Sequence, residues 1–135
     1  MKKVSLLLIL LLLLLTGCLK PFMYDLETLT EEVISAEIVE IDEEKGLPEF
    51  ESVNKVDDER LNDLLVDLSL INFDLGGKPR TTRGYALKLN YVDSYELICE
   101  TFIGLFKLDG EFIKGQDSNV FPDDFNYLIQ KYIST

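Results

Sequence analysis

The chain has 135 residues, with 25 acidic against 13 basic side chains and no histidine, for a formal charge of −12. That length fits one ordinary domain, and the acidic balance makes nucleic acid a poor partner. The lack of histidine removes Ser-His-Asp and Cys-His catalysis, together with the commonest general base and catalytic metal ligand.

Met1-Lys2-Lys3 is a short cationic start, and Val4 to Leu15 is apolar apart from Ser5. This is the layout of a secretory signal, and the run is shorter than the about 20 apolar residues a bilayer-crossing helix needs. It closes on Leu15-Thr16-Gly17-Cys18: an aliphatic residue, two small residues and a cysteine. The quartet resembles the lipobox of bacterial lipoproteins. That resemblance implies cleavage between Gly17 and Cys18 and a diacylglyceryl group on the Cys18 thiol. Residues 1–17 are then a signal peptide, and the protein sits at the cell membrane, lipid-anchored on its extracytoplasmic face. Two or more acyl chains hold a protein stably where one holds it marginally. A soluble secreted protein with an incidental Cys18, or an uncleaved membrane anchor, is the competing arrangement.

Without residues 1–17, which carry only Lys2 and Lys3 as charged groups, 118 residues remain with 11 basic and 25 acidic side chains, a formal charge of −14. A thioether at Cys18 excludes an intrachain disulfide with Cys99, the only other cysteine. Cys99 follows Tyr95-Glu96-Leu97-Ile98 and reads as a small apolar residue in a strand. Flanking Glu96 and Glu100 oppose the lowered pKa that a reactive thiol requires.

Residues 18–24 read as a lipidated cysteine and short tether, interrupted by Pro21, ahead of a globular domain over 25–135. Phe22, Met23 and Tyr24 have two places to go, the lipid interface or the domain itself. Asp25 offers an N-cap to a short helix through about Glu32, marked by Leu26, Leu29 and Val33. From Val33 to Ile41 the pattern becomes a strand, with Ile34, Ala36 and Ile38 on one face and Glu37, Val39 and Ile41 on the other. Asp42 to Gly46 is a polar turn. Glu49 to Lys55 is a second strand whose apolar contacts come from Phe50 and Val53.

The clearest helix starts at Asp57, an N-cap candidate followed by Asp58 and Glu59 at the positive end of the helix dipole, with Val56 able to staple onto Leu61. Leu61, Leu64, Leu65, Leu68 and Ile71 form one apolar face at helical spacing. Gly76-Gly77 ends the segment, and Lys78 to Arg83 is a loop. Gly84 to Tyr91 alternates, with Tyr85, Leu87, Leu89 and Tyr91 against Lys88 and Asn90. Asp93-Ser94 connects it to a returning strand from Tyr95 to Phe102. Ile103 to Leu108 and Glu111 to Lys114 pair about Asp109-Gly110, a strong hairpin signal. Pro122 opens a last helix, with Asp123 and Asp124 beside it and a stripe of Phe125, Leu128, Ile129, Tyr132 and Ile133.

These elements predict a small single-domain α+β fold, an antiparallel sheet of about five or six strands with helices packed on one face. The run Gly84 to Tyr91, the tight turn, Tyr95 to Ile98 and the closing helix from Phe125 to Tyr132 resemble small lipoproteins of Gram-positive bacteria. That resemblance is one of packing pattern and implies no particular activity.

Little in the chain carries chemistry. Ser52-Val53-Asn54-Lys55 matches the Ser-x-x-Lys of penicillin-binding proteins, but no Lys-Thr-Gly accompanies it and the stretch reads as a strand. The carboxylates at Asp42-Glu43-Glu44, Asp57-Asp58-Glu59 and Asp123-Asp124 lack the spacing of an EF-hand loop. No cofactor or metal is expected. Lys78, Arg80 and Arg83 concentrate positive charge on an acidic chain, and they are the candidate site for an anion or partner: a lipid head group, an anionic wall polymer or an acidic patch. A solvated loop pairing with the protein's own acids is the plainer account of the same residues. The expectation is a non-enzymatic, lipid-anchored extracytoplasmic binding module. A structural accessory subunit of an envelope protein complex is the alternative, and a His-free carboxylate hydrolase a more remote one.

Overall fold

A computed structural model describes residues 21–42, 49–75, 83–99, 101–120 and 122–133. In chain order the elements are β1 (Pro21–Phe22), α1 (Leu26–Glu32), β2 (Ser35–Asp42), β3 (Glu49–Lys55), α2 (Asp58–Ser69) and β4 (Phe73–Leu75). They continue with β5 (Arg83–Asn90), β6 (Ser94–Ile98), β7 (Phe102–Lys107), β8 (Phe112–Val120) and α3 (Pro122–Ile133). β5 to β8 form a meander, β2 and β3 extend it beyond β5, and the short β4 and β1 extend it beyond β8. Among the described residues the sheet has eight strands in the order β1-β4-β8-β7-β6-β5-β2-β3, and every pairing there is antiparallel. The result is the expected α+β domain, with six longer strands and two very short ones at one edge.

Alternation along each strand divides the side chains between two faces. Ala36, Ile38, Leu87, Leu89, Ile98 and Ile103 face the helices and share one core with Leu64, Leu65 and Leu68 of α2 and Phe125, Leu128, Ile129 and Tyr132 of α3. The apolar stripes expected on both helices therefore lie where the spacing puts them. Val39, Ile41, Ala86, Tyr95, Leu97, Cys99 and Phe106 form a second cluster on the other face, with Phe50 and Phe102 against it. Phe50 lies in line with Ile41 and Gly84, and Tyr95 in line with Asn90, so in a flat sheet they would stand three strand spacings and six positions apart, about 25 Å. Their ring centroids are 5.7 Å apart, so the sheet curls toward this face. Tyr95 stacks on Phe106 at 5.3 Å, and Phe106 meets Phe112 edge-on at 5.5 Å, continuing the aromatic row to β8.

Several local expectations are corrected. Neither Asp25 nor Asp57 caps its helix with its side chain. The Asp25 carboxylate instead accepts from the Thr28 hydroxyl at 2.9 Å, and the Asp57 backbone carbonyl accepts from the Arg60 N–H. The strand expected from Tyr95 to Phe102 ends at Ile98, because the chain reverses there: the Cys99 N–H donates to the Phe102 carbonyl, and Phe102 begins the next strand. The preceding turn falls on Val92-Asp93, with Tyr91 N–H donating to Ser94 O at 2.8 Å, one residue earlier than expected. Val53 is exposed because a bulge between β2 and β3 leaves it outside the register, with Ile38 facing Asn54 and Val39 facing Ser52. Ile34 precedes β2 and is also exposed. Arg83, read as loop, is the first residue of β5. The helix expected to run to Gly76-Gly77 ends at Ser69, and Phe73–Leu75 pairs as a strand instead; Gly76-Gly77 and the polar turn after Asp42 lie outside the described residues.

Folded structure is already present at Pro21–Phe22, within the segment read as tether. Phe22 and Tyr24 turn back onto the domain and Met23 is exposed. The Tyr24 ring meets Phe73 edge-on at 5.8 Å, and Phe22 meets Tyr24 in the same way at 4.9 Å.

Candidate ligand-binding cleft

The helices do not cover their face evenly. α2 packs on β2, and α3 packs on β2 and β5. The β6-β7-β8 half is met instead by the segment around Phe22 and Tyr24. A cavity of about 250 Å³ remains there, lined by Phe22, Glu96, Ile103, Leu105, Lys114, Gly115 and Gln116. Its floor follows from strand register. Glu96 pairs with Leu105 and Leu105 pairs with Lys114, so an acid, an apolar residue and a base form one row across β6, β7 and β8. Ile98, Ile103 and Gln116 form the adjoining row on the same face.

Glu96 is half-buried, and the Tyr91 hydroxyl donates to its Oε1 at 3.2 Å. The Tyr24 hydroxyl is buried beside it but completes no hydrogen bond of ordinary geometry. Burial raises the Glu96 carboxyl above the usual carboxylate range; the Tyr24 and Tyr91 hydroxyls and the Lys114 charge oppose that rise without cancelling it. Burial, with Glu96 alongside, likewise pushes both tyrosine hydroxyls upward, so they remain protonated donors. Lys114 is exposed, and its charge reaches Glu96 without an ion pair closing between them. The cleft thus offers a carboxylate set low in an apolar floor, an ammonium and a carboxamide at its rim, and protonated phenols behind.

A second polar group lies on the opposite face. Glu37 pairs across the ladder with Lys88 and accepts from its Nζ at 3.2 Å, from Asn90 Nδ2 at 3.3 Å and from the Ser52 hydroxyl at 3.1 Å. Burial pulls the Glu37 carboxyl upward, but these donors and the Lys88 charge together hold it below the usual range. The Lys88 ammonium also lies over the rings of Tyr95 and Phe50, at 4.8 and 5.3 Å. With its acid and base already joined, this group fastens β2, β3 and β5. Ser52 and Lys55 sit within β3, with Ser52 on a strand rather than at the start of a helix.

Of the residues singled out in the sequence, Gly17, Cys18, Lys78 and Arg80 lie outside the described residues, and Arg83 starts β5 opposite Asp42. Glu96, Lys114 and Gln116 were not among them. Glu96 interrupts the apolar positions of Tyr95 to Ile98, which is a signal for a buried acid, but its alignment with Lys114 depends on a register that spacing alone does not reveal. Among the described residues no helix is long and apolar enough to cross a membrane, and no group of three or more acidic or cysteine side chains is arranged to hold a metal ion. Comparison with protein families, curated proteins and solved structures gives no match.

Proposed function

We propose that this chain is a lipid-anchored extracytoplasmic binding module that holds a small ligand in the Glu96 cleft. The observation that carries the binding half is a carboxylate placed in a partly apolar cavity, with no ion-pair partner among the described residues, beside the free volume a ligand needs. A volume of about 250 Å³ lies below the roughly 300–1,000 Å³ typical of drug-sized ligand pockets and suits a ligand of monomer size. The anchoring half rests on Leu15-Thr16-Gly17-Cys18.

Two measurements test the reading. Cells expressing the protein are fed an alkyne-bearing fatty acid; label on the wild type and none on Cys18→Ser is expected. A Cys18→Ser protein that is still labelled and still membrane-bound overturns the anchor. The purified protein is then incubated with a low-molecular-weight cell extract, separated, and its bound molecules identified by mass spectrometry. Retention of a small molecule by the wild type and its loss in Glu96→Leu is expected; equal retention removes the cleft from the account.

One observation favours the accessory-subunit reading. Val92 and Leu108 are exposed at the turns on either side of the Ser94–Lys107 pair, at the same end of the sheet. Exposed apolar side chains grouped at one end suit contact with a protein partner.

A further inference from the structure

The cleft's two charges specify more than a binding site. Glu96 and Lys114 occupy the ends of one cross-strand row with Leu105 between them, which puts their Cα atoms about 10 Å apart from strand spacing. No ion pair closes across that row. Phe22, Ile103 and Leu105 supply apolar surface next to it, and the Gln116 carboxamide adds a polar group one row away.

From this arrangement we infer that the cleft binds a small zwitterion of the α-amino acid type, its ammonium on Glu96, its carboxylate on Lys114, and an aliphatic side chain on Phe22, Ile103 and Leu105. A purely cationic ligand satisfies Glu96 but brings like charge toward Lys114. A purely anionic one meets Lys114 and is repelled by Glu96. A neutral apolar molecule leaves the partly buried carboxylate without a charged partner, and buried charge is stabilised by pairing and hydrogen bonding. A zwitterion satisfies both ends, each through a charge-assisted hydrogen bond of about 2.8 Å. The small volume favours a free monomer over a longer chain.

The inference rests on the cleft being a ligand site, and the test separates the two claims. Four probes share one aliphatic body: leucine, 3-methylbutylamine without the carboxylate, 4-methylpentanoate without the ammonium, and 3-methylbutan-1-ol with neither charge. Each is titrated at pH 7 into the full chain with isotope-labelled methyl groups, and the Ile103 and Leu105 signals are followed. Leucine is expected to bind tightest, with each single-charge probe weaker by about ten-fold or more, as loss of one charge-assisted hydrogen bond implies. Glu96→Gln is expected to erase the preference for leucine over 4-methylpentanoate, and Lys114→Met the preference over 3-methylbutylamine. If the alcohol or a single-charge probe shifts these methyl signals as readily as leucine, the zwitterion assignment is overturned while the ligand site stands. If no probe shifts them, the ligand site falls with it.

Discussion

The Tyr132 hydroxyl donates to Asp67 Oδ2 at 2.6 Å, joining the last turn of α3 to the last turn of α2. Lys131 Nζ reaches the same oxygen at 2.9 Å, and the Tyr132 carbonyl accepts from Asn54 Nδ2 on β3 at 2.9 Å. The Tyr132 side chain is fully buried, with the Arg60 guanidinium 4.7 Å from its ring centroid. One residue therefore ties the closing helix to the other long helix and to the sheet.

Tyr132→Phe keeps the ring and removes only the donor, and it is expected to destabilise the fold by about 1.5–3 kcal/mol, the range for a hydrogen bond to a charged group. Asp67 adds a pH dependence. Burial raises its carboxyl, but Tyr132, Lys131 and Arg60 together bring it below the usual range. A folded pKa below the unfolded one stabilises fully above the unfolded value, about 3.9, and is lost as pH falls through the folded value. Urea unfolding of wild type and Tyr132→Phe should therefore differ at pH 7 and converge at strongly acid pH. A constant difference across that range contradicts the assignment.

Glu96 has the opposite sign. Its folded pKa lies above the unfolded one, so the ionised form opposes folding as pH rises above the unfolded value, about 4.3, with the full effect reached above the folded value. Glu96→Gln removes the charge and keeps an acceptor for Tyr91. Thermal melting should show the variant more stable at pH 7 and the gain vanishing below the ordinary carboxylate range. A variant less stable than wild type at pH 7 shows that the charge is needed for folding.

Phe102 lies across the cross-strand pair Gly104 and Gly115, its ring atoms occupying the space where a Cβ on either glycine would stand. The absence of both side chains makes a flat seat for the ring, as when an aromatic covers glycine in a sheet. Gly104→Ala must displace the ring or press toward Phe106, and overpacking of this kind costs about 1–3 kcal/mol. In a Phe102→Ala background the same substitution should cost much less. Chemical denaturation of the four proteins of this cycle reads the coupling, and additive costs remove the seat from the account.

The basic cluster of Lys78, Arg80 and Arg83 carries the remaining prediction. The unlipidated domain, without residues 1–18, is expected to associate with anionic vesicles at low ionic strength; its Lys78, Arg80 and Arg83 triple Ala variant loses that association, and raised salt weakens it for the wild-type cluster. Co-sedimentation measures both, and identical binding by the two proteins assigns the cluster to a solvated loop.

What the sequence determined by itself is what local chemistry determines. Leu64, Leu65 and Leu68, and Phe125, Leu128, Ile129 and Tyr132, recur at helical spacing and fix which faces of α2 and α3 are buried. Leu87 and Leu89 against Lys88 and Asn90 give β5 its two faces, and Asp109-Gly110 marks the β7–β8 turn. Each of these signals lies within a few residues. Tertiary structure decided the rest. β1 and β4 are too short to show a period and exist through pairing with distant strands; β8 runs on to Val120, where it pairs with β4. Glu96 and Lys114 are 18 positions apart and meet one cleft only because β7 sets both in register with Leu105. A shift of one residue would send either side chain to the opposite face, so the cleft's chemistry belongs to the register of the sheet.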